Sequence, residues 1–252
     1  MIRYQIHRAC FVTVMAILVF ANISYAGDIL FHEEFTDTEI PEAVMYRVED
    51  DGSDLTNIGN GAFPQRSPNK NYFSFITYAY QFGQLLIRDE ISHEILQTQK
   101  DSENLVLQPC SIRYCWYPDS KRVAYAAILQ RNTHEGFIYI FDTKTRQTKK
   151  VHHFKYSRYS DAIWGTTLTW SPDGKYLLFN TPGMDSKNED TTVISLIDPK
   201  IESVKTLEIG YLPRFVNDKK IVFTTGLSIW ITDIDNGKKS KILDTQYPVV
   251  SL

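Results

Sequence analysis

The sequence predicts an all-β fold, a β-propeller of four-stranded blades. Three observations predict it. A turn motif of about a dozen residues recurs along the chain. A short alternating strand ending in Asp follows each copy. Beyond the first 26 residues, no stretch holds the 3.6-residue period of a helical solenoid.

Composition sets the frame for that reading. The 252 residues are 43% hydrophobic, 23% charged and 13% aromatic, with a formal net charge of −3. That is enough apolar material for a real core, and it excludes a disordered, collagen-like or disulfide-stapled chain. The mild acidity argues against a nucleic-acid partner held by a basic field. Only one apolar run exists, at the N-terminus, which excludes a multi-span membrane protein.

Residues 1–26 read as a secretory signal. Arg3, His7 and Arg8 stand without an acid, Ala9 to Ala21 is uncharged and mostly apolar, and small residues at Ser24 and Ala26 precede Gly27. Cleavage is expected after Ala26, which leaves 27–252 as the propeller domain. The competing reading is a membrane anchor, but a core of 13 residues falls short of the roughly 20 that span a bilayer. After cleavage, no membrane insertion is expected. Removing Arg3 and Arg8 leaves 25 basic against 30 acidic residues. Cys10 goes with the signal, and Cys110 and Cys115 remain. In an exported chain this pair can form a disulfide, or it can be two buried thiols.

The clearest repeat runs Leu168-Thr-Trp-Ser-Pro-Asp-Gly-Lys-Tyr-Leu-Leu-Phe179. It recurs from Arg113 to Tyr125, more worn from Phe63 to Phe75, and one residue shorter from Pro213 to Phe223. Pro118 and Pro172 suit the second position of a type I turn, and Asp119, Asp173 and Gly174 tolerate its tight exit. The Asp residues are therefore read as turn formers, and Trp116 and Trp170 as packing residues. After each copy comes a strand such as Ile138-Tyr-Ile-Phe-Asp142 or Ile229-Trp-Ile-Thr-Asp233, and then a fourth. The turn residues Asn69, Asp119, Asp173 and Asp218 recur every 45 to 54 residues, the spacing of four-stranded blades.

Trp-Ser-Pro-Asp-Gly-Lys at 170–175, followed by the Ile-x-Ile-x-Asp strand, resembles the TolB-type, WD-like propeller repeat of bacterial periplasmic proteins. The resemblance covers nearly all of 27–252. The copy at Phe63 lacks the Trp and Asp, and that at Pro213 lacks the Pro and Gly. The resemblance implies a periplasmic or secreted docking platform. Similar propellers also occur in oligogalacturonate lyases and as accessory domains of prolyl peptidases.

Strands at Ile29–Glu33, Val44–Val48 and Leu55–Ile58 match the second, third and fourth strands of a blade. Tyr247–Leu252 lines up with Tyr211–Val216, the first strand of another. The expectation is five blades, with the C-terminal strand completing the first; the alternative is an open array.

In such blades the turns between strands one and two, and three and four, share one face. The other connections share the opposite face, and every long one falls there: Phe35 to Ala43, Thr98 to Pro109, Ala127 to Gly136, His152 to Gly165 and Asn180 to Thr191. Loops on a rigid scaffold are where binding concentrates. The richest runs from His152 to Gly165, where Phe154, Tyr156, Tyr159 and Trp164 interleave with Lys155 and Arg158, residue types that dominate interfaces. Tyr156, Arg158, Tyr159 and Trp164, with Asn132 and His134 of the neighbouring loop, are the candidate contacts for an envelope protein or peptide. The alternative is that the aromatics plug the gap above the blades.

The five histidines after residue 26 show no zinc spacing, and no nucleophile elbow or phosphate loop appears. No metal, cofactor or catalytic residue is expected. The functional expectation is a non-catalytic recognition propeller, not an enzyme. The alternative is a sugar-binding or lyase-like propeller using its axial channel.

Overall fold

A computed structural model describes residues 28–35, 42–79, 82–98, 105–106, 114–129, 135–155, 167–184, 190–200 and 202–247. These form five antiparallel sheets in chain order. The first holds β1 (Asp28–Phe35), β2 (Glu42–Glu49) and β3 (Thr56–Asn60). The second holds β4 (Ala62–Arg66), β5 (Tyr72–Ala79), β6 (Phe82–Asp89) and β7 (Ile95–Gln97). In the third, β8 (Leu105–Val106) and β9 (Tyr114–Trp116) both pair with β10 (Arg122–Leu129). β11 (Glu135–Asp142) and β12 (Gln147–Lys155) complete it. The fourth holds β13 (Leu168–Trp170), β14 (Leu177–Met184), β15 (Asp190–Asp198) and β16 (Ser203–Ile209). The fifth holds β17 (Tyr211–Asn217), β18 (Lys220–Thr225), β19 (Ser228–Asp233) and β20 (Lys239–Asp244).

Each sheet is laid down as the repeat implies, with successive strands as neighbours. In the second, third and fifth sheets the Asp that ends the third strand starts the next turn by accepting two backbone N–H groups on one carboxylate oxygen, and in the fourth Asp198 accepts the N–H of Lys200. Asp89 takes those of Ile91 and Ser92, Asp142 those of Lys144 and Thr145, and Asp233 those of Asp235 and Asn236. The tight turns between first and second strands leave through a left-handed residue at one repeated position: Lys70 (φ 64°), Ser120 (φ 63°) and Gly174 (φ 70°). Only Gly174 needs to be glycine, because a Cβ there would lie 2.4 Å from the Tyr117 hydroxyl of the preceding blade.

Packing lies between the sheets. Ile76, Leu85, Ile87 and Leu96 of the second meet Tyr114, Trp116, Val123, Tyr125, Phe137, Tyr139 and Phe141 of the third. The opposite face of the third sheet, with Ala124, Ile138, Ile140 and Phe154, meets Leu168, Trp170, Leu177 and Phe179 of the fourth. Leu178, Ile194 and Leu196 of the fourth then meet Ile221, Phe223 and Ile234 of the fifth. Each fully buried Phe, Ile or Leu stabilises by about 1.5–3 kcal/mol, so these faces hold the array together. Successive side chains point to opposite faces, so the near-continuously apolar inner strands, such as β11, supply both faces of their sheets.

Two features depart from the sequence reading. The inner strand of the third sheet is split: Tyr114 to Trp116 pair with Tyr125 to Val123, while Leu105 and Val106 pair farther along with Leu129 and Ile128. The hairpins β10–β11 and β14–β15 also run longer than expected, so the loops read from Ala127 and from Asn180 begin only after Leu129 and Met184. Pro182 and Gly183, a loop signal in sequence, stand inside the β14 ladder.

The first sheet has three strands, and β1 has no partner on its outer edge among the described residues. The described sheets do not close into a ring. Residues 1–27 and 248–252, which hold the expected signal and most of the expected closing strand, lie outside the described residues.

Candidate functional site

The two ends of the sheets differ. At one end the strands are joined by the Asp-led turns, and these turns also touch their neighbours. The Asn69 N–H donates to Ser120 Oγ (2.9 Å), and the Asp173 N–H donates to Asp218 Oδ1 (2.9 Å). Asp119 accepts from Lys121 N–H, and Asp173 from Lys175 N–H and the Ser171 hydroxyl. These bonds, led by that of Ser171, hold the Asp173 carboxyl below the usual range. Pro118, Asp119, Pro172, Asp173 and Gly174 stand in these turns.

The opposite end carries the long connections. Strands β1, β10, β12 and β14 run up to it and stop at Phe35, Leu129, Lys155 and Met184; the chain re-enters at Glu42, Glu135, Leu168 and Asp190. The foundation of this face is described where β11 and β12 meet. Phe154 pairs with Gly136 and its ring lies where a Gly136 Cβ would be, 2.3 Å from the built position. Phe154 is buried at 8% exposure, so it belongs to the core and not to a loop. The aromatic ring covering a strand glycine fixes the hairpin at the base of the face.

His152 and His153 follow the alternation of β12 and point to opposite sides. His152 is half-buried, its ring 5.0 Å from that of Phe179 in the next blade; burial lowers its pKa, and His153 adds to the effect. The fourth sheet covers His152 on that side. His153 stacks on Phe137 (4.9 Å between centroids) and approaches Glu135 at 3.6 Å. Deeper in the fourth sheet, Asn180 Oδ1 accepts from the Thr167 backbone N–H (2.6 Å) and hydroxyl (2.5 Å), tying the inner strand to its neighbour.

The six candidate contacts, Asn132, His134, Tyr156, Arg158, Tyr159 and Trp164, lie outside the described residues. So does Cys110. Cys115 is a free thiol packed against the apolar cluster of the third and fourth sheets, and burial pushes its pKa far above the ordinary range. Among the described residues no group of three or more His, Cys, Asp or Glu could hold a metal ion. None of their helices is long and apolar enough to cross a membrane. Sequence reasoning missed the Phe154–Gly136 pair, whose signal is a lone glycine in a strand beside an aromatic one register opposite.

No protein-family model matches the sequence, and no curated protein does. Solved structures do. The β-propeller domain of the Trilobed protease from Pyrococcus furiosus is 13% identical with a TM-score of 0.59, covering 86% of this chain and 69% of that one. An oligogalacturonate lyase in complex with manganese is 14% identical with a TM-score of 0.57, covering 85% and 61%. TolB from Acinetobacter baumannii is 14% identical with a TM-score of 0.47, covering 89% and 65%. The chain therefore spans less than two thirds of the lyase and TolB structures. At these identities the likeness to the protease domain and the lyase shows the fold alone, a β-propeller.

The same finding corrects one expectation. The absence of catalytic motifs in the sequence was grounds for reading a non-enzyme. A lyase and a protease stand among the structural neighbours, so catalysis is open to this fold and a missing linear motif does not exclude it. The physical reason is that a propeller assembles sites from separate blades, and no sequence spacing records that.

Proposed function

We propose that the chain is a recognition module of the cell envelope that binds a protein or peptide across its long-loop face. Tyr156, Arg158, Tyr159 and Trp164 are the central contacts, flanked by Asn132 and His134. One observation carries the reading: the long connections leave from one end of the sheets, while the other end is closed by short turns braced against each other. Variable loops on a rigid frame make a binding face, and Tyr, Trp and Arg supply most interface energy. The signal-like segment 1–26 supports the periplasm or the outside of the cell as the compartment.

The test is a crosslinked pull-down from envelope extract with residues 27–252, beside a variant carrying alanine at Tyr156, Arg158, Tyr159 and Trp164. A partner captured by the parent and lost by a variant of unchanged melting temperature supports the reading. A large fall in melting temperature returns the four residues to plugging the blades.

We take the ring to be closed by Tyr247–Leu252 pairing with β1. Two inner strands begin alike: Gly61 and Phe63 precede Pro64, and Gly210 and Leu212 precede Pro213, with φ at 53° in both Phe63 and Leu212. Tyr247-Pro248 repeats the aromatic or aliphatic residue before proline. The first sheet also keeps an apolar face, with Phe31 stacked on Tyr46 at 5.4 Å, and the fifth leaves Val216 and Leu243 exposed. Ending the chain at Tyr247 should lower the melting temperature by several degrees; no change would mean an open array.

A further inference from the structure

We propose that β12 is a docking edge for an extended acidic peptide of the partner, lying along the outer rim of the third blade. The inference rests on the recognition reading above and names the partner's chemistry on the strand that leads into the Tyr156–Trp164 loop.

The charge distribution is the first ground. The chain as a whole is acidic, yet residues 143–160 contain Lys144, Arg146, Lys149, Lys150, Lys155 and Arg158, with His152 and His153 and no acid. Most of this falls on β12, nine residues long and the longest outer strand among the described residues. Its register places Lys150, His153 and Lys155 on one face, opposite Tyr139, Phe137 and Glu135. The Lys150 ammonium sits 4.1 Å from the centre of the Phe137 ring, which fixes the charge on that face of the strand.

Neighbouring rims are neutralised internally. Lys239 pairs with Glu208 at 3.0 Å, Lys241 with Asp244 at 2.7 Å, and Lys205 donates to the Ile234 carbonyl. On the third blade, Glu94 and Glu202 answer Arg146 and Lys149. Lys144 and Lys155 meet no carboxylate among the described residues.

The shape of the charge decides the class of partner. Nine residues at about 3.3 Å each make a line of about 30 Å, one strand wide. A bilayer would need a plane of cations, which the neutralised rims do not provide. A line suits an extended polymer. The edge of β12 has no strand beyond it among the described residues, so backbone N–H and C=O groups are there for a peptide to pair with. An acidic polysaccharide can hydrogen-bond to them singly but has no N–H and C=O groups at strand spacing to extend the ladder. The bulge at Val151 divides the edge into 147–150 and 152–155, and each half can take a short ladder. Edge lysines commonly serve to repel other strands; an acidic strand turns that repulsion into attraction and would be selected over neutral or basic ones.

The probe is a fluorescein-labelled peptide of about twelve residues with Glu at alternate positions and Thr between them. Binding to residues 27–252 is followed by anisotropy, and amide protection by hydrogen exchange. The expected result is binding that weakens with salt, falls by about tenfold or more when Lys150→Glu and Lys155→Glu are combined, and protects amides within 147–155. Lys200→Glu with Lys238→Glu, on exposed turns, should leave it unchanged. A peptide of equal charge interrupted by prolines should bind about tenfold more weakly. The proposal is overturned by no binding, by protection elsewhere, or by equal binding of polygalacturonate or the proline peptide. The four-alanine loop variant separates the two readings. If it loses the envelope partner while the peptide binds nowhere, only the acidic-edge inference fails; if it keeps the partner, the loop reading fails and the peptide result stands alone.

Discussion

The second and third blades, and the third and fourth, meet through equivalent strands that carry equivalent tryptophans, yet the two interfaces are held differently. Between the second and third, Trp116 Nε1 donates to Ser74 Oγ at 2.8 Å, and the Tyr114 hydroxyl shares its proton between the Ser74 and Phe63 carbonyls. The Tyr125 and Thr148 hydroxyls both reach the Thr98 carbonyl. Between the third and fourth, Trp170 is buried among Leu168, Leu177, Phe179 and Ala124. Its ring stands nearly perpendicular to that of Tyr117, with centroids 4.7 Å apart, and its Nε1 has no hydrogen-bond partner among the described residues. Ser74 is the third residue of β5 and Ala124 the third of β10. The difference between a satisfied and an orphaned indole is thus one side chain on the preceding blade. A repeat motif specifies the tryptophan but not its acceptor, which another copy must provide.

The largest expected effect comes from deleting each indole. Trp116→Ala and Trp170→Ala should each cost about 3–5 kcal/mol through lost packing. Trp116→Ala should be the worse by about 1–3 kcal/mol, because it strips Ser74 of its donor while Trp170→Ala also removes a buried unpaired N–H. Urea denaturation of both variants measures the gap. Equal costs would mean that the Trp116 bond contributes nothing net.

A smaller and more pointed test transplants the acceptor. Ala124→Ser should place a hydroxyl beside Trp170 and raise stability by about 1 kcal/mol, a net hydrogen bond recovered from an orphaned donor. Ser74→Ala makes the reverse change and should destabilise by about 1–3 kcal/mol. Two changes of the same sign would break the equivalence of the interfaces.

The features that follow from local chemistry were legible in the sequence. Pro172-Asp-Gly174 gives a turn wherever it occurs, and Asp89, Asp142 and Asp233 mark strand ends because a carboxylate beside free N–H groups closes a turn by itself. Features that depend on a neighbouring blade were not legible. Leu105 and Val106 carry no turn signal, and only β10 reveals them as a strand. Pro182 and Gly183 read as loop, yet they lie in a ladder with Thr192 and Thr191. Phe154 read as a binding aromatic until Gly136 appeared beneath it. Of the candidate site, comparing connection lengths singles out one end of the sheets, and the contacts proposed there lie outside the described residues.

A further difference between the two interfaces is a titratable one. His152, wedged against Phe179, stands between the third and fourth blades, and burial depresses its folded-state pKa below the ordinary 6.5. The unfolded chain therefore binds the proton more readily than the folded one. Above the unfolded pKa, near 6.5, both states are neutral and the imidazole costs nothing. As pH falls below that value, the unfolded state takes up the proton first, so stability declines until the folded pKa is passed, and then levels. The lowered carboxyls of Asp89 and Asp173 act mainly as pH falls toward and below their ordinary 3.8, at the edge of this window, and they are shared by parent and variant. Stability measured by urea denaturation at steps from pH 7.5 to 4.5 should fall more for the parent than for His152→Leu, which keeps an apolar contact with Phe179 and cannot titrate. Parallel curves would show that Phe179 does not exclude water from the ring, and that the interface yields enough to solvate an imidazolium.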